Sequence, residues 1–199
     1  RAPVLPLPTY AFQRQRYWLE PAQPLSASGL ARSDHRLLGT WLESAREGRA
    51  VFVSTWTRRS ARWLADHTLF GEVLVSATTT LELCRAALQR ARPDAELQVS
   101  QLELLAPLLL PEDARVQVQV EVSQSEAGEL GGSVHSRLFG AKSESWTLHA
   151  TASGAPASSE IGPVAPSWPS QASECWGPEV YTRLERFGLG YGDSFRGVS

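Results

Sequence analysis

The clearest pattern in the 199-residue chain is strict alternation. In Val116-Gln-Val-Gln-Val-Glu-Val122 every second residue is valine. Val116, Val118, Val120 and Val122 therefore share one face of a strand, and that face is buried. Trp146, Leu148 and Ala150 alternate in the same way, and Ser133 to Phe139 offers a weaker strand between them, after a turn expected at Gly131-Gly132. Upstream the period changes. Leu81, Cys84 and Leu88 fall at i, i+3 and i+7, with Leu83 and Ala87 beside them, which predicts a helix over 78–91. Thr78, Thr79 and Thr80 offer its cap, and Pro93 ends it. Residues 35–64 read as β structure: Leu37-Leu38-Gly39 leads into Trp41-Leu42-Glu43, Gly48 marks a turn, and Ala50 to Trp56 is β-branched and aromatic. One helix followed by a run of antiparallel strands able to wrap it is an α+β pattern.

Two stretches break the periodicity. Residues 1–24 combine Pro3, Pro6, Pro8, Pro21 and Pro24 with Tyr10, Phe12, Tyr17 and Trp18, which predicts extended backbone laid along a surface. From Ala152 to Pro178, Ser, Ala, Gly and Pro dominate, as in a linker or a long surface crossing. Helical spacing returns at Tyr181, Leu184 and Phe187, followed by the Gly-rich aromatic segment Gly188–Gly197. The expected organisation is a lead-in over 1–32, a first folded unit over 33–152, a crossing over 153–178 and the start of a second unit over 179–199. The chain opens at Arg1 and contains no Met, so it reads as a piece of something longer.

Composition narrows the function classes. Lys+Arg is 19 against Asp+Glu 21, a net charge of −2, without the basic excess of a nucleic-acid or membrane-surface binder. No apolar run approaches the ~18 residues of a membrane helix, and no charged-then-apolar leader is present. Cys84 and Cys175 make no disulfide framework and suit two reduced thiols in a cytoplasmic protein. His35, His67, His135 and His149 are scattered, with no CxxC or HExxH spacing, so no metal site is expected. His35, His135 and His149 read as structural or sheet histidines. Arg58, Arg59 and Arg62 read as a solvated face, with docking of an acidic partner as the alternative.

The sharpest segment is Trp63-Leu-Ala-Asp-His-Thr-Leu-Phe-Gly-Glu-Val-Leu-Val-Ser-Ala77. Histidine starts closest to the pKa a general base needs, and His67 sits among apolar residues just before the helix. Position alone does not say which way it points.

This segment resembles the W-L-x-D-H-x-x-x-G-x-x-x-x-P motif of dehydratase domains in modular type I polyketide synthases. Three others agree in order and spacing. Leu7-Pro-Thr-Tyr-Ala-Phe-Gln-Arg-Gln-Arg-Tyr-Trp-Leu19 is similar to the linker that follows the acyltransferase. His35-Arg-Leu-Leu-Gly39 is similar to the H-P-L-L-G that opens the dehydratase, and Gly190-Tyr-Gly-Asp-Ser-Phe-Arg-Gly197 to the Y-G-P-x-F-x-G early in its second half. The resemblance implies a double hot-dog fold, of which this chain holds the first hot dog and the opening of the second. It implies that His67 is the catalytic base and that Gly71, Ser76, Tyr191 and Phe195 contact substrate. The reaction it implies is loss of water from a 3-hydroxyacyl thioester. That substrate is carried on the phosphopantetheine of an acyl carrier protein, with no metal or diffusible cofactor. The implied partners are the carrier protein, neighbouring synthase domains and a second copy in a homodimer through the synthase, in cytoplasmic antibiotic biosynthesis. The family's catalytic Asp, in a D-x-x-x-Q or D-x-x-x-H motif on the second half's helix, is expected beyond Ser199; Asp66 and Asp193 do not match it by position.

Two residues depart from the motif. Ser76 stands where the family has proline, and Asp193 replaces the proline of Y-G-P. Serine frees φ and adds a donor beside the histidine, so the loop is expected to sit differently against the thioester. That opens a second reading, a dehydratase-like isomerase moving a double bond from α,β to β,γ with His67 alone. A third is a non-catalytic structural module of the synthase.

Overall fold

The computed structural model describes residues 30–45, 49–140, 145–157 and 177–197. Its strands are β1 (Leu30–Arg32), β2 (Thr40–Glu43), β3 (Arg49–Trp56), β4 (His67–Leu69), β5 (Glu72–Val73), β6 (Leu97–Leu104), β7 (Val116–Gln124), β8 (Leu130–Leu138), β9 (Thr147–Pro156) and β10 (Leu189–Tyr191). The helices are α1 (Ala77–Ala91) and α2 (Gly177–Arg186), and 3-10 turns occupy Arg62–Asp66 and Asp193–Phe195. The expectations for the lead-in up to residue 29, the turn at Gly48, Cys175 and the crossing over 158–176 lie outside the described residues.

Seven strands form one antiparallel sheet in the order β1-β2-β3-β7-β8-β9-β6, wrapped around α1, with Val116, Val118, Val120 and Val122 of its central strand turned into the core. Phe52 of β3 and Val134 of β8 meet the same core, and Leu83, Cys84, Ala87 and Leu88 of α1 fill it from the other side. Each such leucine contributes about 1.5–3 kcal/mol of burial. Gly154 of β9 lets α1 come close: a Cβ there would sit 3.2 Å from Leu88 Cδ1. This is a hot-dog arrangement, one helix wrapped by one antiparallel sheet.

Several local expectations are corrected. The cap of α1 is Ser76, whose hydroxyl accepts from the Thr79 N–H, and none of the three threonines. Leu81 is 41% exposed, because the stripe that meets the sheet runs through 83, 84, 87 and 88 instead. Gly131 and Gly132 lie inside β8, paired to β7 and β9; the turn is 125–129, where Gly128 takes φ 84°. β6 carries no regular alternation that would mark it as a strand. A register shift between Val99 and Gln101 breaks its apolar alternation, and its edge position leaves one face polar. A second shift, between β8 and β9 at Val134/His135, buries His149 and Ala150 together and turns Leu148 outward. β9 also continues to Pro156, past the expected boundary at 152, because main-chain pairing with β6 carries the Ser/Ala/Gly sequence. α2 starts at Gly177 rather than Val180, and Phe187 lies exposed beyond its end.

A smaller sheet, β10-β4-β5, sets His67 on the central strand, and β10 pairs antiparallel with β4 so that Tyr191 faces His67 in the ladder.

Candidate active site

The 3-10 turn Arg62–Asp66 delivers His67, and the fully buried Leu64 anchors that turn. After β4 the chain reverses through Phe70 (φ 50°) and Gly71 (φ 84°), the paired left-handed residues of a type I′ hairpin. Glycine adopts this conformation freely, whereas the bulky phenylalanine adopts it under strain. The Phe70 ring lies over Gly188, where no side chain would fit, and the Phe70 N–H donates to the Gly188 carbonyl at 2.7 Å. The site is thereby tied to a segment more than a hundred residues away.

Leu74 grips His67 twice. The Leu74 N–H donates to the His67 carbonyl at 3.0 Å, and His67 Nδ1 lies 2.7 Å from the Leu74 carbonyl oxygen. A carbonyl only accepts, so Nδ1 carries a proton, and in the neutral ring Nε2 is the nitrogen with the lone pair. The Tyr191 ring meets the imidazole edge-on at 5.4 Å, and the Phe195 ring lies at 5.1 Å and stacks on Trp63 at 6.2 Å. Phe195 is placed by Asp66, whose carboxylate accepts from the Ser194 N–H at 3.0 Å while its carbonyl accepts from Gly192 at 2.7 Å. The hydrogen bonds from Ser194 hold the Asp66 carboxyl below the usual range. Asp193 is exposed in the first turn that follows.

His67 lines a cleft of about 410 Å³ whose walls are mostly apolar: Leu74, Val75, Leu104, Leu105, Ala106, Pro107 and Leu108, with Ser76, Ala77 and Thr80 at the N-terminus of α1 and His149 opposite. His67 is half-buried. Ser76 reaches the cleft as the helix cap with φ −67°, inside the range that a proline ring imposes. At this residue the backbone thus takes the φ that a proline would impose. Gly71 sits at the exposed hairpin tip and does not line the cleft.

His149 is the wall residue that sequence reasoning treated as an ordinary sheet histidine. It is 6% exposed, and its Nδ1 donates to the Ala106 carbonyl at 3.1 Å while its Nε2 accepts from the Ser136 hydroxyl at 2.7 Å. Burial pushes its pKa down, His135 adds to that, and the bonds to the backbone of Ala106 and Pro107 oppose it. Alternation with Trp146, Leu148 and Ala150 placed His149 on the other face, and only the bulge turns it inward. The other singled-out groups are structural. His35 accepts from the Leu37 N–H and sits 3.3 Å from Glu82, and Arg58 donates to the Leu110 carbonyl at 2.7 Å. Burial pushes the Cys84 thiol up to about 11, so it is inert. Among the described residues no cluster of His, Cys, Asp or Glu could hold a metal ion, and no helix is long and apolar enough to cross a membrane.

The family profile described as polyketide synthase dehydratase domain matches residues 35–137. The polyketide synthase GfsE of Streptomyces halstedii is 38% identical over 99% of this chain, which spans only 5% of that protein. A solved structure reported for dehydratase substrate selection in the borrelidin and fluvirucin polyketide synthases is similar with a TM-score of 0.72 at 30% identity, covering 87% of this chain and 62% of the other. Two structures of CurK dehydratase, a His→Phe and an Asp→Asn variant each described as inactive, are similar at TM-scores of 0.69 and 0.68 with 27% and 28% identity. They cover 83% and 82% of this chain, and each is matched over 58% of its own length.

Proposed function

This chain belongs to the polyketide synthase dehydratase domain family, and from that premise we infer that it supplies the base for removing water from a 3-hydroxyacyl thioester carried on an acyl carrier protein. One observation carries the reading. The hydrogen bond from His67 Nδ1 to the Leu74 carbonyl leaves Nε2 as a lone pair at an apolar cleft, beside the N-terminus of α1.

In this reading Nε2 takes the α-proton, which the thioester carbonyl has acidified. The C–H electron pair forms the new Cα=Cβ bond, the Cβ–O bond breaks, and the hydroxyl leaves as water with a proton from a second group. Charge builds on the thioester oxygen during the proton transfer. The first-turn N–H groups of Ala77 and Thr78 have no acceptor within their own helix, and with the helix dipole they suit that oxygen. Gly71, to which the resemblance assigns a substrate contact, shapes the hairpin that carries His67. Tyr191 and Phe195 confine the imidazole. Asp66 is engaged by Ser194, so the proton donor is expected in the second half, on the Asp that the family places there, and the inactive CurK variants support a His and an Asp as the pair. The chemistry asks for no metal or diffusible cofactor, since the thioester itself is the electron sink.

The same reading makes 33 to about 156 the first hot dog and 177–197 the opening of the second, within a cytoplasmic, dimeric synthase whose neighbouring domains pass the carrier-bound substrate. The φ of −67° at Ser76 lends no support to a displaced loop, and dehydration is preferred to double-bond migration. A purely structural module has no use for a histidine fixed in one tautomer at a cleft.

The test is turnover by the full-length protein carrying this chain. Wild type is expected to convert a 3-hydroxyacyl carrier-protein thioester to the enoyl thioester, and His67→Ala to lose roughly 10²–10⁴ of that rate while remaining folded. Equal rates in the two proteins would overturn the assignment of His67.

A further inference from the structure

His149 is used up as a hydrogen-bonding group: Nδ1 serves Ala106, Nε2 takes the Ser136 hydroxyl, and neither nitrogen is free for proton transfer. Its main chain grips the same segment, because the His149 carbonyl accepts from the Leu105 N–H at 2.8 Å and the Ala106 N–H at 3.3 Å. Residues 104–110 therefore form a strap clamped at one end by His149. The other end is sewn to the chain beside His67. The Val75 N–H donates to the Leu108 carbonyl at 2.9 Å, the Leu110 N–H to the Val73 carbonyl at 2.9 Å, and Leu74 bridges to Leu109. Leu74 is the residue whose carbonyl holds His67 Nδ1. A path of hydrogen bonds and covalent backbone thus runs from His149, along the strap, to Val73 and Val75 on either side of the residue that sets the base's tautomer. The strap's Leu104, Leu105, Pro107 and Leu108 are also the apolar wall of the cleft.

Resting on the dehydratase reading, we propose that His149 is a positioning residue. It clamps the 104–110 strap, which holds the Leu74 carbonyl against His67 and forms the wall that selects the apolar acyl chain of the substrate. The register shift in β9 turns this histidine inward beside Ala150, and burying a polar ring costs free energy unless its hydrogen bonds are made.

His149→Gln, His149→Asn and Ser136→Ala in the full-length protein test this. The asparagine amide can reach the position of Nδ1 and donate to Ala106, whereas glutamine reaches toward Ser136. Two readouts are taken: ¹⁵N shifts of labelled His67, which report its tautomer without turnover, and kcat/KM for 3-hydroxyacyl thioesters of increasing chain length. The His149→Gln variant is expected to mix the His67 tautomers, to lose about 100-fold in kcat/KM, the scale of a ~1 Å misplacement, and to flatten the chain-length preference. Asparagine should recover most of the loss. Ser136→Ala, which only loosens the ring, should shift both readouts in the same direction by less, and it carries the test if His149→Gln does not fold. A His67 tautomer and chain-length profile identical to wild type in the folded variants would overturn the proposal, even if their stability fell. Tautomer mixing alongside a wild type that dehydrates no thioester would instead uphold the clamp and overturn the dehydratase reading.

Discussion

The large sheet with α1 and the small β10-β4-β5 sheet are held together by different means. Around α1, valines and leucines from neighbouring strands interlock, and apolar burial does the work. Around His67 the ties are polar and long-range: Leu74 to the imidazole, Asp66 to Ser194 and Gly192, Phe70 to Gly188. The first region supplies most of the apolar burial that resists unfolding. The second contributes little burial yet fixes the direction of one lone pair. The two cleft histidines repeat the contrast, since His67 keeps one nitrogen free and His149 keeps none.

The comparison breaks most visibly at Leu83, which is fully buried between α1 and the sheet. Leu83→Ala is expected to cost about 2–5 kcal/mol in a denaturant titration. The rate per folded molecule should stay near that of wild type. A large fall in that rate with little loss of stability would mean that the core region, too, positions the site.

A smaller effect is expected at Ser76, which belongs to both regions as helix cap and cleft residue. Ser76→Pro keeps a backbone already at φ −67° and removes the hydroxyl that serves the Thr79 N–H, a loss of about 1 kcal/mol. The ratio of enoyl to migrated product, measured from the 3-hydroxyacyl and the α,β-enoyl carrier-protein thioesters, should be unchanged. A changed ratio would restore double-bond migration as a reading.

The smallest effect is in pH. Folding lowers the His149 pKa below its ordinary 6.5, so the unfolded chain binds a proton more readily than the native one. The stabilisation that follows is complete above about pH 6.5 and is lost as pH falls through the depressed native value. Asp66 and Glu82 are also lowered, by Ser194 and chiefly by Arg85, but as carboxylates they act only at more acidic pH. Urea midpoints between neutral pH and about pH 5 should therefore decline in wild type and flatten in His149→Asn; equal slopes would show that burial of His149 is not what sets this dependence.

Where side-chain period and backbone agreed, reading the residues in order was enough. The face of Val116–Val122, a helix over 78–91 and the helical stretch around Tyr181 follow from spacing, although Leu81 and Phe187 fall outside the buried faces. The motif around His67 likewise singled out the histidine proposed as the base, through its family resemblance rather than through its position alone. Three features could be decided only in three dimensions. The bulges in β6 and β9 changed which residues face inward, and a period of two carries no mark of where it will slip. The Ser76 backbone kept a proline-like φ without proline, because its φ is set by the helix that it caps and the strap that pairs beside it. The lone pair on His67 is directed by a carbonyl seven residues away and flanked by rings more than a hundred residues away. Those contacts exist only once β10 has paired with β4, and a linear sequence records such pairings in no local pattern.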